Sequence, residues 1–221
     1  MPTGIPRSSA RRQGTLGVLG PLVFTLAWIA GALLQSDYSV RREDVSGLTA
    51  ETADAPWATI TGIVVMGACT VLLGVGLLRA LGGPLRRCAG PLLIIASGVA
   101  TICVGVFRND CSTALPACQA LIEAGDISWR HIAHDLATWV VFTAFIAAPL
   151  PTGWRMRSEL YWRPLALPSM LLTPLLGVLL VLYGIEPVAG WGGALQRALL
   201  TPGLVWLAVL GLRLAVLPES H

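Results

Sequence analysis

The chain has 221 residues, of which 55% are hydrophobic and only 12% are charged. Soluble domains carry about 25% charged residues, so this composition excludes an ordinary water-soluble domain and places the chain in a lipid bilayer. All 15 basic residues are arginines, and the formal net charge is only +3. Because the arginines lie in separate short segments and form no dense basic patch, we do not expect a nucleic-acid partner.

Six apolar runs, each long enough to cross a hydrocarbon core of roughly 30 Å, follow one another along the chain. We expect membrane-spanning helices at residues 15–35, 56–81, 89–107, 130–150, 164–185 and 194–217. Polar tails are expected at residues 1–14 and 218–221. The predicted fold class is therefore all-α, a single polytopic bundle of six transmembrane helices with no soluble domain. Four glycines are expected where helices pack closely, namely Gly62, Gly67, Gly74 and Gly98.

The arginines are distributed unequally between the two sides of this predicted bundle. One side would carry ten of the 15: Arg7, Arg11, Arg12, Arg79, Arg86, Arg87, Arg155, Arg157, Arg163 and Arg213. The other side would carry Arg41, Arg42, Arg108, Arg130 and Arg197. Because basic residues concentrate on the cytoplasmic side, both termini are expected in the cytoplasm of a multi-pass cell-membrane protein. The loops after the first, third and fifth spans should then face outward.

Two cysteines fall in the loop between the third and fourth predicted spans. Cys111 and Cys118 flank Pro116 in a loop assigned to the oxidising side, which favours a disulfide bond between them. The alternative is a pair of free thiols. Metal binding by this pair is less favoured because no second cysteine pair accompanies it.

Titratable side chains are concentrated around the start of the fourth span. His131, His134 and Asp135 are spaced i, i+3 and i+4, so they share one face of a helix. Asp110, at the end of the third span, could reach the same histidines if the two helices pack side by side. An ionisable group within a span indicates a functional role, which makes Asp110, His134 and Asp135 candidate catalytic residues. His131, His134 and Asp110 could also bind zinc or another divalent metal, with water in the remaining position.

A structural interpretation of the same residues stays open. His131 and Asp135 can form an i, i+4 pair near the membrane interface, with Asp126 or Ser128 capping the helix. A third interpretation is a polar pocket that contacts a ligand without chemistry.

Several short motifs occur in a recognisable order along the chain. They are Asp37-Tyr38-Ser39, Val45-Ser46-Gly47-Leu48, Ala55-Pro56-Trp57, Gly105 to Asp110, His134-Asp135-Leu136-Ala137 and Gly193 to Arg197. In order and spacing the chain resembles the bacterial membrane family catalogued as domain of unknown function 998, over about residues 17–216. The resemblance implies a six-helix integral membrane protein of a family without an assigned activity. Five motif positions map to the outer ends of helices, which suggests a shared polar pocket: Tyr38, Ser46, Asp110, His134 and Arg197. His131 is expected beside them.

Three classes of function follow from these observations. The first is a non-catalytic membrane protein whose outer pocket binds a lipid or small apolar molecule, or which supports a membrane complex. The second is a membrane-embedded enzyme that acts on a lipid or isoprenoid by metal-assisted hydrolysis or by acid–base chemistry of aspartate and histidine. The third is a small transporter component. The sequence predicts the lipid bilayer as a partner and identifies no protein partner.

Overall fold

The chain folds into helices wherever its apolar runs are long. The computed structural model describes residues 6–82, 88–185 and 190–218, and within these ranges it contains helices and no strands. The α-helices are α1 (Arg7–Leu34), α2 (Pro56–Leu81), α3 (Ala89–Val106), α4 (Pro116–Ala124), α5 (Trp129–Ala147), α6 (Pro149–Met156), α7 (Ala166–Ile185) and α8 (Gly192–Ala215). Two short 3-10 helices occupy Val45–Thr49 and Arg163–Leu165.

Six stretches of the described chain are long and apolar enough to cross a membrane. They are α1, α2, α3, α5 together with α6, Arg163–Ile185 and α8. Their outward side chains include Leu33, Leu171 and Val205, each more than half exposed, as expected for a surface that contacts lipid. This confirms the predicted class of an all-α polytopic membrane protein.

The helix bounds agree with the expected spans in some places and differ in others. Helix α2 has the expected bounds, with Pro56 in its first turn. Helix α1 begins at Arg7, within the expected polar tail, because arginine, alanine and glutamine are good helix formers. The fourth span is divided into α5 and α6 at Ala148, next to Pro149, which has no backbone N–H to donate. Most of the expected tail at 218–221, and the turn containing Arg86 and Arg87, lie outside the described residues.

The six spans pack in a closed ring. Helix α1 packs on α2, α2 packs on α3, and α3 packs on α5. Helix α6, which continues the fourth span, packs on α7, and α8 closes the ring against α7 and α1. The predicted role of the glycines is confirmed, since a Cβ on Gly67 would lie 2.7 Å from the carbonyl oxygen of Gly98. Fully buried leucines fill the half of the bundle that contains the last turns of α2 and α8: Leu73, Leu77, Leu210 and Leu214.

The opposite end of the bundle, which we call the cap end, is covered by two ordered connections. The first, residues 36–55 between α1 and α2, is called the cap segment. The second, residues 107–128 between α3 and α5, contains α4 and a disulfide between Cys111 and Cys118, whose Cα atoms are 5.6 Å apart. The predicted disulfide is therefore confirmed. Gly125 ends α4 with φ +74°, a left-handed conformation that glycine adopts without strain.

Candidate functional site

Arg197 connects α8 to the cap segment. Its Nη1 donates hydrogen bonds to the carbonyl oxygens of Val40 and Glu43, both at 2.9 Å, and to Gly193 within its own helix. Its Nη2 donates to the hydroxyl of Tyr38 at 2.6 Å. The guanidinium also lies 4.7 Å from the centre of the Trp28 ring, at cation–π distance. One side chain of α8 thus connects the cap segment to α1.

Tyr38 is the partner of Arg197 within the cap segment. Its hydroxyl donates towards the carbonyl oxygen of Asp44 at 2.9 Å, and it lies 3.1 Å from that of Glu43. Burial raises the pKa of Tyr38 to about 12, although the charge and hydrogen bond of Arg197 partly oppose this rise. Tyr38 is therefore a neutral hydrogen-bonding group at physiological pH.

Glu43 connects the cap segment to the disulfide-bonded connection. This buried carboxylate accepts hydrogen bonds from the backbone N–H of Ser39 at 3.1 Å and from the hydroxyl of Ser112 at 3.0 Å. Ser112 directly follows Cys111 of the disulfide. The disulfide therefore fixes the position of a hydroxyl that satisfies a buried charge, which is costly to leave unpaired.

Three further side chains complete the attachment of the cap segment. Gln196 of α8 accepts a hydrogen bond from the Val45 N–H at 2.8 Å, and Tyr183 of α7 donates to the Asp44 carboxylate at 2.7 Å. Arg108 donates hydrogen bonds to the carbonyl oxygens of Thr49 at 3.0 Å and Ala50 at 2.8 Å, at the end of the 3-10 helix Val45–Thr49. The sequence analysis did not identify these residues, nor Glu43 and Ser112. Gln196 and Arg108 did lie within two of the quoted motifs, Gly193 to Arg197 and Gly105 to Asp110.

Asp110 forms a second polar cluster with the start of α5. Its carboxylate accepts from the backbone N–H and hydroxyl of Ser128 at 2.5 and 2.6 Å, and its own N–H donates to Nδ1 of His131 at 3.3 Å. Burial alone would raise the pKa of Asp110. The two bonds from Ser128 and the nearby His131 and Arg130 outweigh this effect, so the pKa lies below its ordinary value. Ser128 also accepts from the His131 N–H and so caps α5, as the structural interpretation predicted.

The two histidines differ in their partners. His134 is buried and its Nδ1 donates to the carbonyl oxygen of Phe107 at 2.7 Å, which satisfies an acceptor at the end of α3. Nε2 of His131 is buried, lies 3.8 Å from the half-exposed Asp135 carboxylate, and has no hydrogen-bond partner among the described residues. Both Nδ1 atoms therefore bond to backbone groups. Within the described ranges, no group of three or more His, Cys, Asp or Glu side chains is arranged to hold a metal ion.

A cavity of about 100 Å³ lies inside the bundle, between the cap segment and the leucine-filled half. Val45 and Ser46 of the cap segment line the wall of the cavity on the side of the cap end. Its other walls are mostly apolar and aromatic, and they include Phe24, Ile63, Met66, Val104, Val141, Phe142, Phe145, Leu200, Leu204 and Leu207. Two of its hydroxyls, on Thr70 and Thr101, donate to carbonyl oxygens of their own helices at 2.8 Å. The cavity therefore presents a largely hydrocarbon surface.

The structure distributes the predicted site residues over three places at the cap end. Tyr38 and Arg197 are in contact above α8. Asp110, His131 and Asp135 lie at the junction of α3 and α5, and His134 bonds to the end of α3 one turn along. Ser46 alone faces the internal cavity.

These features define a polytopic, all-α membrane protein in which an ordered polar cap covers a small apolar cavity. The chain matches the family model described as a protein of unknown function, DUF998, over residues 18–213, and it belongs to that family. No match was found among curated proteins or among solved structures.

Proposed function

We propose that the protein is a lipid-binding protein of the cell membrane, which holds the end of a hydrocarbon chain in the cavity beneath the cap. The observation that carries this proposal is the cavity itself, because aromatic and aliphatic side chains surround a space inside a bundle that is otherwise closely packed. Pockets for drug-sized ligands measure about 300–1,000 Å³. At about 100 Å³, this cavity suits the terminal part of a chain and excludes a whole lipid.

The orientation of the protein supports access from the bilayer. We infer that the cap end is extracytoplasmic, because ten of the 15 arginines belong to the other side and the disulfide requires an oxidising compartment. The cap segment would then separate the cavity from external water. A ligand that reaches the cavity would come from the hydrocarbon phase.

A binding role is favoured over catalysis by what the polar groups contact. Nδ1 of His131 and Nδ1 of His134 are already bonded to backbone groups, and Tyr38 and Arg197 are bonded to the cap segment. The Asp110 carboxylate accepts two bonds from Ser128. These contacts hold the cap end together, and among the two histidine rings only the buried Nε2 of His131 has no hydrogen-bond partner within the described residues.

The proposal is tested by photocrosslinking in proteoliposomes with a phospholipid that carries a diazirine at the terminal carbon of one acyl chain. We expect crosslinks on the cavity-lining residues Met66 and Phe142. Thr138→Phe fills the cavity from α5 and should remove them. Val140→Phe is the matched control, since Val140 is 49% exposed on the same helix and should leave them unchanged. Crosslinks confined to outward residues of the wild-type protein would refute the proposal.

A further inference from the structure

Helices α1 and α8 are in close contact at one end and separate towards the other. In the half away from the cap, a Cβ on Gly14 would lie 2.4 Å from the backbone N of Ala215, and one on Gly17 would lie 3.1 Å from the Cα of Gly211. Here the two backbones touch, as small residues allow. Towards the cap end, a groove of about 350 Å³ lies between the same two helices. The pair therefore forms a V that opens towards the cap.

The groove is separated from the internal cavity by a thin wall of side chains. Four residues line both spaces: Phe24 of α1, Val45 of the cap segment, and Leu200 and Leu204 of α8. Among the described residues, the side chains that line both spaces belong to α1, α8 and the cap segment. Movement of two or three apolar side chains would therefore join the two spaces.

The chemistry of the groove matches a hydrocarbon chain. Its walls include Val18, Pro21, Leu22, Val205 and Ala208. The hydroxyl hydrogens of its two threonines are used within the helices, because Thr25 donates to the carbonyl oxygen of Pro21 at 2.8 Å and Thr201 to that of Arg197 at 2.7 Å. Leu22 and Val205 are 51% and 57% exposed on surfaces that face the bilayer. Lipid is the solvent that fills such a groove.

The length of the groove along α8, and the charge at its cap end, match one leaflet of a bilayer. From Arg197 to Ala208 the axis of α8 advances by about 16 Å, close to half of a hydrocarbon core of roughly 30 Å. At its upper end Arg197 stacks on Trp28, and none of the four acceptors that it bonds is a carboxylate. A positive charge therefore lies at the level of the phosphate groups of that leaflet.

We propose that this groove is a lateral portal through which one acyl chain of a phospholipid in the cap-side leaflet enters the cavity, past Phe24 and Leu204. The phosphate lies near Arg197, and the chain follows α8 before turning inward. Pro21 and Pro202 each remove a backbone hydrogen bond from the helices on either side, which permits the small bend that opening needs. This inference rests on the proposed function, because it supplies the route to the same cavity.

The test measures the rate at which the diazirine phospholipid reaches the cavity. The lipid is delivered to proteoliposomes from cyclodextrin, samples are flash-irradiated at successive times, and crosslinks to Met66 and Phe142 are counted. Val205→Trp blocks the groove without touching the cavity, and we expect it to slow crosslinking at least tenfold. Leu212→Trp is the matched control, since Leu212 is 56% exposed on the same helix outside the groove, and it should leave the rate unchanged.

The outcomes distinguish a failure of the portal hypothesis from a failure of the proposed function. An unchanged rate in Val205→Trp, together with loss of crosslinks in Thr138→Phe, would overturn the portal and leave cavity binding intact. Persistence of the cavity crosslinks in Thr138→Phe would refute cavity binding itself. A free fatty acid carrying the same diazirine is tested in parallel. Cavity crosslinks from the fatty acid but none from the phospholipid would show that the phospholipid assignment is wrong.

Discussion

Replacing Arg197 by methionine is expected to release the cap segment from α8. The substitution keeps an unbranched apolar stem but removes the donors to Val40, Glu43 and Tyr38 and the stacking on Trp28. Hydrogen bonds to charged groups contribute about 1.5–3 kcal/mol each, and an exposed cation–π contact contributes about 0.5–1 kcal/mol. The lower values sum to about 5 kcal/mol. Because Nη1 shares its two hydrogens among three acceptors and water can reach part of this site, we expect the cap to lose about 4 kcal/mol of local stability.

Hydrogen exchange measured by mass spectrometry on residues 36–55 reports this loss. At 1.4 kcal/mol per factor of ten, a loss of about 4 kcal/mol speeds exchange of the protected amides, such as that of Val45, by about 10³. Arg213→Met is the matched control. It removes an arginine of the same helix that stacks 3.9 Å from the Tyr161 ring at the other end of the bundle, and it should not change exchange in the cap. Exchange within threefold of wild type in Arg197→Met would refute the assignment of Arg197 as the main attachment of the cap.

Three further predictions follow from the same structure. The pKa of Asp110 lies below its ordinary value, so the ionised carboxylate stabilises the folded state above about pH 4. This contribution is lost as the pH falls through the folded-state pKa. The substitution Asp110→Asn should therefore reduce the decrease of Tm at acid pH. Gly211→Ala places a Cβ 2.6 Å from the Gly14 oxygen and should lower Tm by about 4–10 °C, whereas Gly177→Ala meets nothing within 4 Å and should not. Burial raises the pKa of Tyr38 to about 12, so a spectrophotometric titration at 295 nm should lose a step near pH 12 in Tyr38→Phe; an unaltered step there would contradict this.

The spans were predictable because the bilayer imposes both a length and a composition. Helix α2 has the expected bounds, and the third span ends within one residue of its expected end at 107. Helix α4 was not predicted, since nine residues are too few to cross a membrane. Its Pro116 in the first turn and Gly125 after the last are nevertheless readable signals of a short helix.

The candidate site was predictable only in part. The spacing of His131 and Asp135 predicts a shared face of α5, and His131 lies within 4.0 Å of the carboxylates of both Asp135 and Asp110. The sequence does not show what each group contacts, because the partners are backbone atoms brought together by packing. His134 bonds to the Phe107 carbonyl oxygen, which no pattern of side chains reveals. The cavity was not identifiable either, since side chains from five helices and the cap segment create it together.

The contacts that attach the cap have a consequence for biosynthesis. The bond between Val45 and Gln196 joins residues separated by 151 positions, and that between Tyr38 and Arg197 joins residues separated by 159. At a translation rate of about 5–20 residues per second, roughly 8 to 30 s elapse between synthesis of the two partners. Over that interval the nascent chain holds the N–H of Val45 and the hydroxyl of Tyr38 without the α8 side chains that bond to them. Helix α8 thus completes the attachment of a cap segment that was synthesised much earlier.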